Sequence, residues 1–419
     1  MSTLTRYFSF NSGETLSITY EDDDASGAYV NTESNIAELQ RSISNNIVQS
    51  VFRIYVLYPD ETIAYEIPPE NIKSGGSYSE NYQNGQRRSL SFTLYNFDGE
   101  YMPNINQFWV GTRLRFEMGL KLLSGHTIWF QKGIFIITSA APSETPGSRE
   151  VTISASDKFC LFESGRGILG STYTIPVNTD IYGLVRSIQF IDTGNGYPLD
   201  TQPVLFNRAL VNKRTQVEIT KSAGDSLGGL LLEVATQMSA EVFYNSVGQL
   251  VFAPINEVTA DVDKPILYHY DTNNGDISQL DFNLDYNNVV NRVIVIGTSS
   301  TGGTFTHTAV NDDPASPLCY QRIGYHTGEV ITDSNIYAKH LARERADYEL
   351  RNQLIMKSTI SATILCNPFL EVNNLISISD EFFDLRRAKF LIQSIGCSLD
   401  FSNQMQISAT NIKNLPFLT

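Results

Sequence analysis

The stretch SLSFTLYNFDGEYMP, residues 89–103, opens in strict two-residue alternation and closes in a polar turn. Successive side chains of a strand face opposite sides, so Leu90, Phe92 and Leu94 share one face and Ser89, Ser91 and Thr93 the other. One face of this strand is wet. Asn96, Asp98 and Gly99 are residue types that tolerate tight turns, and Pro103, with no N–H to give, ends further pairing. A calcium loop would need oxygen ligands at alternate positions, an obligatory glycine and a distal bidentate Glu. Asp98 and Glu100 do not supply that set, so Asn96, Asp98, Gly99 and Pro103 are read as a structural turn.

The alternation continues on either side. VFRIYVLYPD (51–60), TRLRFEMGLKLLSGHTIWFQKGIFIITSA (112–140) and REVTISASDKFCLF (149–162) are broken by turns at Pro59, Gly99, Gly125, Gly133 and Pro146, which predicts an antiparallel β domain over about 50–163. Short, evenly spaced strands of this kind form a sandwich or a barrel. Upstream, a strand and the acidic turn EDDDASG (21–27) precede Ile36, Leu39 and Ile43, whose spacing suggests a short amphipathic helix. Downstream, the glycines of ESGRGILGST mark a boundary near 164–172.

In the segment 224–254, Asp225 or Ser226 can cap a helix that carries Leu227, Leu230, Leu231, Val234, Ala235 and Met238 on one stripe. A hairpin turned at Gly248 follows, so a helix on a small sheet is the expected unit. SNIYAKHLARERADYELRN (334–352) predicts a second helix, with Ser334 or Asn335 as cap, Ala338, Leu341, Ala342 and Arg345 on one face, and charge pairs at Arg343, Asp347 and Arg351. KSTISATIL (357–365), NLISIS (374–379), AKFLIQSIGCSLDF (388–401) and QMQISATNI (404–412) return to β, with Pro368 and Asn403 in turns.

At 419 residues the chain exceeds what one core usually supports, and 42% apolar against 18% charged residues argues for compact domains. Twenty-one Tyr and 23 Phe favour strands. Thirty basic against 45 acidic side chains give a formal charge of −15, a poor balance for gripping a phosphate backbone. DNA is therefore expected as a passenger at most, and screening over about 8 Å confines even that effect to charges facing its path. The N-terminus has no signal-peptide pattern and no apolar run is long enough to span a bilayer, so a soluble protein without stable membrane insertion is expected.

Cys160, Cys319, Cys366 and Cys397 form no CxxC pair and the five His are scattered, so reduced thiols and no metal cluster are expected. Gly297 and Gly302 stand at phosphate-loop spacing after an apolar strand, but Gly303 occupies the position of the required Lys and TFTHTAV reads as another strand. GxSxG and HExxH are absent, and no carboxylate pair stands out for acid–base work. DTGNGYPLD (192–200) and DTNNGD (271–276) read as loops. No catalytic residue, metal or cofactor is expected.

Three weak features fall in order: SLSFTLYNFDGEYMPN; WFQKGIFIITSA leading to VTISASDKFCLFE; and LCNPFLEVNNLISIS before FLIQSIGCSLDFSNQMQISATNI. Together with the two helical units, they resemble the central baseplate hub, or tail hub, proteins of tailed bacteriophages over most of residues 50–415. The resemblance implies a mainly β chain with α+β insertions, in which two tube-like antiparallel β-barrel or sandwich domains flank smaller helix-on-sheet domains. It divides the chain into 1–163, 164–275, 276–344 and 345–419, the last completing the wall begun by the first. It also implies a homotrimer that presents six β domains to a hexameric tail tube, with tail tube or distal tail, spike or tail-tip and tape-measure proteins as partners. Such a virion component would be assembled in the host cytoplasm. Because the chain stops soon after the final hub-like strands, wall degradation and receptor binding are expected to belong to other proteins. The alternatives are a carbohydrate-binding, adhesin-like tail protein, for which exposed Trp would be the clue but only Trp109 and Trp129 occur, both in strand-like runs, and a cell-wall hydrolase with a carboxylate pair hidden from sequence.

Overall fold

The computed structural model describes residues 3–9, 15–22, 49–104, 108–109, 111–121, 125, 127–189, 199–255, 266–284, 289–299, 302–333, 336–355, 358–400 and 403–411. The helix expected around Ile36–Ile43 and the caps Ser334 and Asn335 lie outside them.

The opening strands are β1 (Thr3–Ser9), β2 (Thr15–Asp22), β3 (Gln49–Leu57), β4 (Ile63–Glu66), β5 (Ile72–Asn81), β6 (Arg88–Tyr95), β7 (Arg113–Lys121), β8 (Thr127–Thr145) and β9 (Ser148–Asp157). An inserted unit follows, with β10 (Tyr173–Ile175), α1 (Ile181–Gln189), β11 (Leu205–Phe206), β12 (Ile219–Lys221), α2 (Leu227–Gln237), β13 (Ala240–Tyr244) and β14 (Leu250–Pro254). The chain then gives β15 (Ile266–Asp271) and β16 (Ile277–Leu284) before a second small unit of β17 (Arg292–Thr298), β18 (Thr304–Val310), β19 (Ile331–Asp333) and α3 (Lys339–Ile355). It closes with β20 (Ser358–Leu365), β21 (Leu375–Asp380), β22 (Leu385–Leu399) and β23 (Gln404–Asn411). The chain is mainly β, as expected.

One 15-stranded sheet holds strands from both ends of the chain in the order β16-β20-β23-β22-β5-β6-β9-β8-β7-β3-β4, with β1, β2, β15 and β21 joined at its sides. The seam between the halves is β22 on β5, from Ser394 opposite Asn81 to Leu399 opposite Gly76. Each half has one overlong strand. The 19-residue β8 pairs β7 with its first part and β9 with its second. The 15-residue β22 pairs β21 from Leu391 back to Leu385, and then β5 beyond a bulge between Ile392 and Ser394. A bulge bends and twists its strand, which lets one chain segment serve two neighbours on the same edge.

The alternation read in β6 is the alternation observed. Leu90, Phe92 and Leu94 are buried in a core that also takes Tyr78, Phe116 and Phe135 from the first half and Ile376, Phe390, Ile395 and Met405 from the second. In the inserted unit Ser226 is the cap, its Oγ accepting from Gly229 N at 3.0 Å. Leu227, Leu230, Leu231, Val234 and Ala235 of α2 are buried against β13 and β14. The β13–β14 hairpin turns at Gly248, whose φ of +86° is one that glycine adopts without strain. The glycines near 300 close a plain hairpin of β17 and β18, with Ser299 N donating to Gly303 O at 2.8 Å.

Shared cores cut the chain at other places than 275 and 344. β15 and β16 belong to the large sheet, because β15 finds its partner in β21 and β16 in β20. Ala342, Ala346, Leu350 and Leu354 of α3 bury a stripe against Val293 and Val295 of β17, which keeps the whole helix with the second small unit.

Candidate functional site

The predicted turn is built around one buried side chain. Asn96 is 5% exposed, and its Oδ1 accepts from Tyr101 N at 2.7 Å while its own N–H donates to Arg149 O at 2.8 Å. Gly99, at φ +76°, brings its N–H to Asn96 O at 3.3 Å, and Asp98 is exposed. Tyr101 OH in turn accepts from Asn71 Nδ2 at 2.6 Å. Pro103 follows the turn and is half-buried. The arrangement is a β-turn reinforced by an Asn side chain, with its acidic groups facing water. Asn96→Ala is expected to lower stability by about 1–3 kcal/mol, because it leaves the buried Tyr101 N–H without its acceptor; chemical denaturation would measure it.

The feature with the greatest extent is the wet face of the large sheet. Residues directly opposite on neighbouring strands face the same side. Gln279, Thr363, Gln406, Gly396, Ser79, Ser89 and Ser156 form one register row from β16 to β9. Asp281, Ser361, Ser408, Ser394 and Asn81 form a second across the seam. Ser398, Ser77, Ser91, Ser154 and Ser139 form a third. Asp281 is the one ionisable side chain in these rows. Hydroxyls bond across strands, Ser79 Oγ with Ser89 Oγ at 2.7 Å and Thr93 Oγ1 with Thr152 Oγ1 at 3.0 Å. These three rows are polar, nearly uncharged and built from both ends of the chain; the Thr93 row beside them carries Lys73, which is held by Glu150 at 2.8 Å. Sequence reading found it on β6 alone; the signal for the rest was small hydroxyls at every second position in TISAS, STISAT and QMQISAT.

A separate set of charged residues sits inside, where the units meet. Arg88 of β6 pairs with Glu80 and gives Nη1 to Tyr244 O of the inserted unit at 2.5 Å. Arg87 pairs with Glu241 at 2.8 Å and lies over the Phe243 ring at 3.4 Å. Asp157 accepts from Arg87 N, Arg88 N and Phe159 N at 2.7, 2.9 and 3.0 Å. Burial nevertheless pushes its carboxyl up to about 6, against those donors and the nearby Arg88. Buried Lys132 of β8 reaches into the second half, donating to Leu370 O at 2.8 Å and Pro368 O at 3.1 Å. A cleft of about 290 Å³ opens between these parts, with Arg87, Arg88 and Phe243 on one side and Glu371 and Asn374 on the other. Its guanidinium groups already face carboxylates, so it offers no unneutralised cation for an anionic ligand.

Among the described residues no group of three or more His, Cys, Asp and Glu could hold a metal ion, and no helix is long and apolar enough to cross a membrane. The four cysteines are free, and burial pushes the Cys160 thiol up to about 12. Trp129 is buried with the Arg53 guanidinium 4.0 Å over its ring, whereas Trp109 is half exposed.

No protein-family model and no curated protein matches the sequence. Solved structures do match its fold. A tail protein from Neisseria meningitidis MC58 aligns over 86% of this chain and 96% of its own, at TM-score 0.59 and 12% identity. The 43 kDa tail protein of prophage MuSo2 from Shewanella oneidensis aligns over 87% and 99%, at TM-score 0.57 and 14% identity. Prophage tail protein gp18 from Listeria monocytogenes EGD-e aligns over 85% and 94%, at TM-score 0.51 and 12% identity. The chain therefore has the fold of these phage tail proteins.

Proposed function

We propose that three copies of this chain close a ring at the end of a phage tail tube, join the tube to the central spike or tail tip, and let DNA pass through the middle. The observation that carries this reading is the continuous hydroxyl- and amide-lined face. A channel for a polyanion must hold water without offering unpaired cations, since each Lys or Arg that meets a phosphate releases counterions and adds affinity. That face runs unbroken from strands near the N-terminus to strands near the C-terminus, so each half of the chain can supply one tube-like domain, and three chains can meet a sixfold tube. The small units at 159–252 and 290–354 lie off this wall, where they can meet distal tail, spike or tape-measure proteins. The chain is then a structural virion component, assembled in the host cytoplasm, with no reaction assigned to it.

The purified chain is expected to show three chains' mass by light scattering and a central hole in negative stain, alone or on tail-tube ends. Particles lacking the chain that still build normal tubes with attached tips would overturn the reading. Half-exposed Trp109 favours a second reading, a carbohydrate-binding tail protein. Specific binding on a glycan array, lost in Trp109→Ala, would select it.

A further inference from the structure

Lys158 follows β9 at the entrance to the inserted unit, and its side chain is 0% exposed. Its Nζ donates to Asp200 Oδ1 at 2.6 Å, Glu61 Oε1 at 2.5 Å and Gly248 O at 3.0 Å. The side chains of Asp200 and Glu61 are 0% and 5% exposed. Tyr244 OH donates to the other carboxylate oxygen of Asp200 at 2.7 Å. Burial holds the Tyr244 hydroxyl well above its ordinary range, which keeps it a donor. Glu61 adopts φ +68°, a left-handed conformation that is strained for a non-glycine residue, and the tight turn on Tyr58 holds it there. Its Oε2 is buried and accepts no hydrogen bond. A buried amine, two carboxylates and a hydroxyl donor thus converge in one water-poor site, from positions far apart in sequence.

We propose that Lys158 and Asp200 are joined by an isopeptide bond formed within the folded chain, with Glu61 carrying the protons. One proton leaves the Lys158 ammonium and protonates the Asp200 carboxylate by way of Glu61, giving a neutral amine beside a neutral acid. Nζ attacks Cγ while Tyr244 OH stabilises the oxygen that gains charge. A second proton passes from Nζ through Glu61 to the leaving hydroxyl. The C–N bond forms, the C–O bond breaks, and one water leaves; no oxidant or reductant takes part. Electrostatics favour the product. Ion pairs held out of water carry a desolvation penalty, and the reaction replaces one such pair with a neutral amide while leaving Glu61 with Arg113, 3.6 Å away. Holding the groups in contact also supplies the orientation that makes an otherwise slow condensation intramolecular. The bond clamps the inserted unit to the end of β9, so the unit cannot be pulled from the wall by force on its partners.

The test is the intact mass of the denatured full-length protein. A mass below that of the sequence by one water, with a branched tryptic peptide joining the segment around Lys158 to the one around Asp200, is the expected result. A mass equal to that of the sequence, or a water loss confined to a linear peptide, overturns the proposal and leaves an ion-pair cluster. Glu61→Gln is expected to keep the folded circular dichroism signal while restoring the full mass. A branched peptide in that variant would remove Glu61 from the proton transfer. These readouts are independent of whether the chain forms a ring.

Discussion

Replacing Glu117 with Ala is expected to cost the fold about 3–5 kcal/mol, the range found when one member of a buried ion pair is removed. Glu117 lies on β7 with its side chain fully buried, and it holds Arg53 Nε at 2.5 Å and Arg115 Nε at 2.6 Å. Both cations are also largely buried, against the rings of Tyr55 and Trp129. Cation–π contact with those rings offsets part of their desolvation, but on the order of only 1–2 kcal/mol per contact. Without the carboxylate, two guanidinium groups would face each other in an apolar layer between β3, β7 and β8. Glu117→Gln keeps an acceptor but loses the charge, and should fall between the two. The exposed pair of Lys73 and Glu150 is the control: Lys73 is 44% exposed, so Glu150→Ala should cost no more than about 1 kcal/mol. Equal losses in the two alanine variants, measured by denaturant unfolding, would show that Glu117 is not the counter-charge on which this layer depends.

Local chemistry was legible in the sequence and distant pairing was not. The β6 alternation, the Ser226 cap, the stripe of α2 and the turn at Gly248 each depend on contacts within about a dozen residues, so spacing alone reveals them. The seam of β22 on β5 depends on a bulge. Ala388, Phe390 and Ile392 are buried on one phase, and after the bulge Ile395, Cys397 and Leu399 are buried on the other. A one-residue shift of phase sends Ser394 and Ser398 to the wet face, and only the partner strand, more than 300 residues away in sequence, fixes where the shift falls. A boundary at 275 leaves β15 with the inserted unit for the same reason, since its parallel partner β21 lies far along the chain. The Lys158 cluster was invisible because Glu61, Lys158 and Asp200 belong to three separate segments, each of which reads alone as a turn or a strand end.

Placing Lys at Ser89 and Ser361 is expected to make the chain hold DNA. Both positions are exposed on the wet face, one in each half of the chain, and neither side chain packs into the core. Stability should therefore change by no more than about 0.5 kcal/mol. In a ring of three the variant would direct six ammonium groups at the channel. For roughly six phosphate contacts, affinity should fall about a thousandfold between 50 and 200 mM salt, the mark of counterion release. Fluorescence anisotropy with a short duplex would show this directly, and assembled particles carrying the variant should eject DNA slowly. Asn212→Lys with Gln216→Lys, on exposed loops of the inserted unit, adds the same charge away from the face. If that control bound DNA as tightly as the face variant, charge alone would account for the effect, and the sheet surface would lose its claim to line a channel. Binding confined to the face variant would mean that DNA reaches this surface, and that its Ser, Thr, Gln and Asn, with Lys73 neutralised by Glu150, keep the path free of unpaired cations.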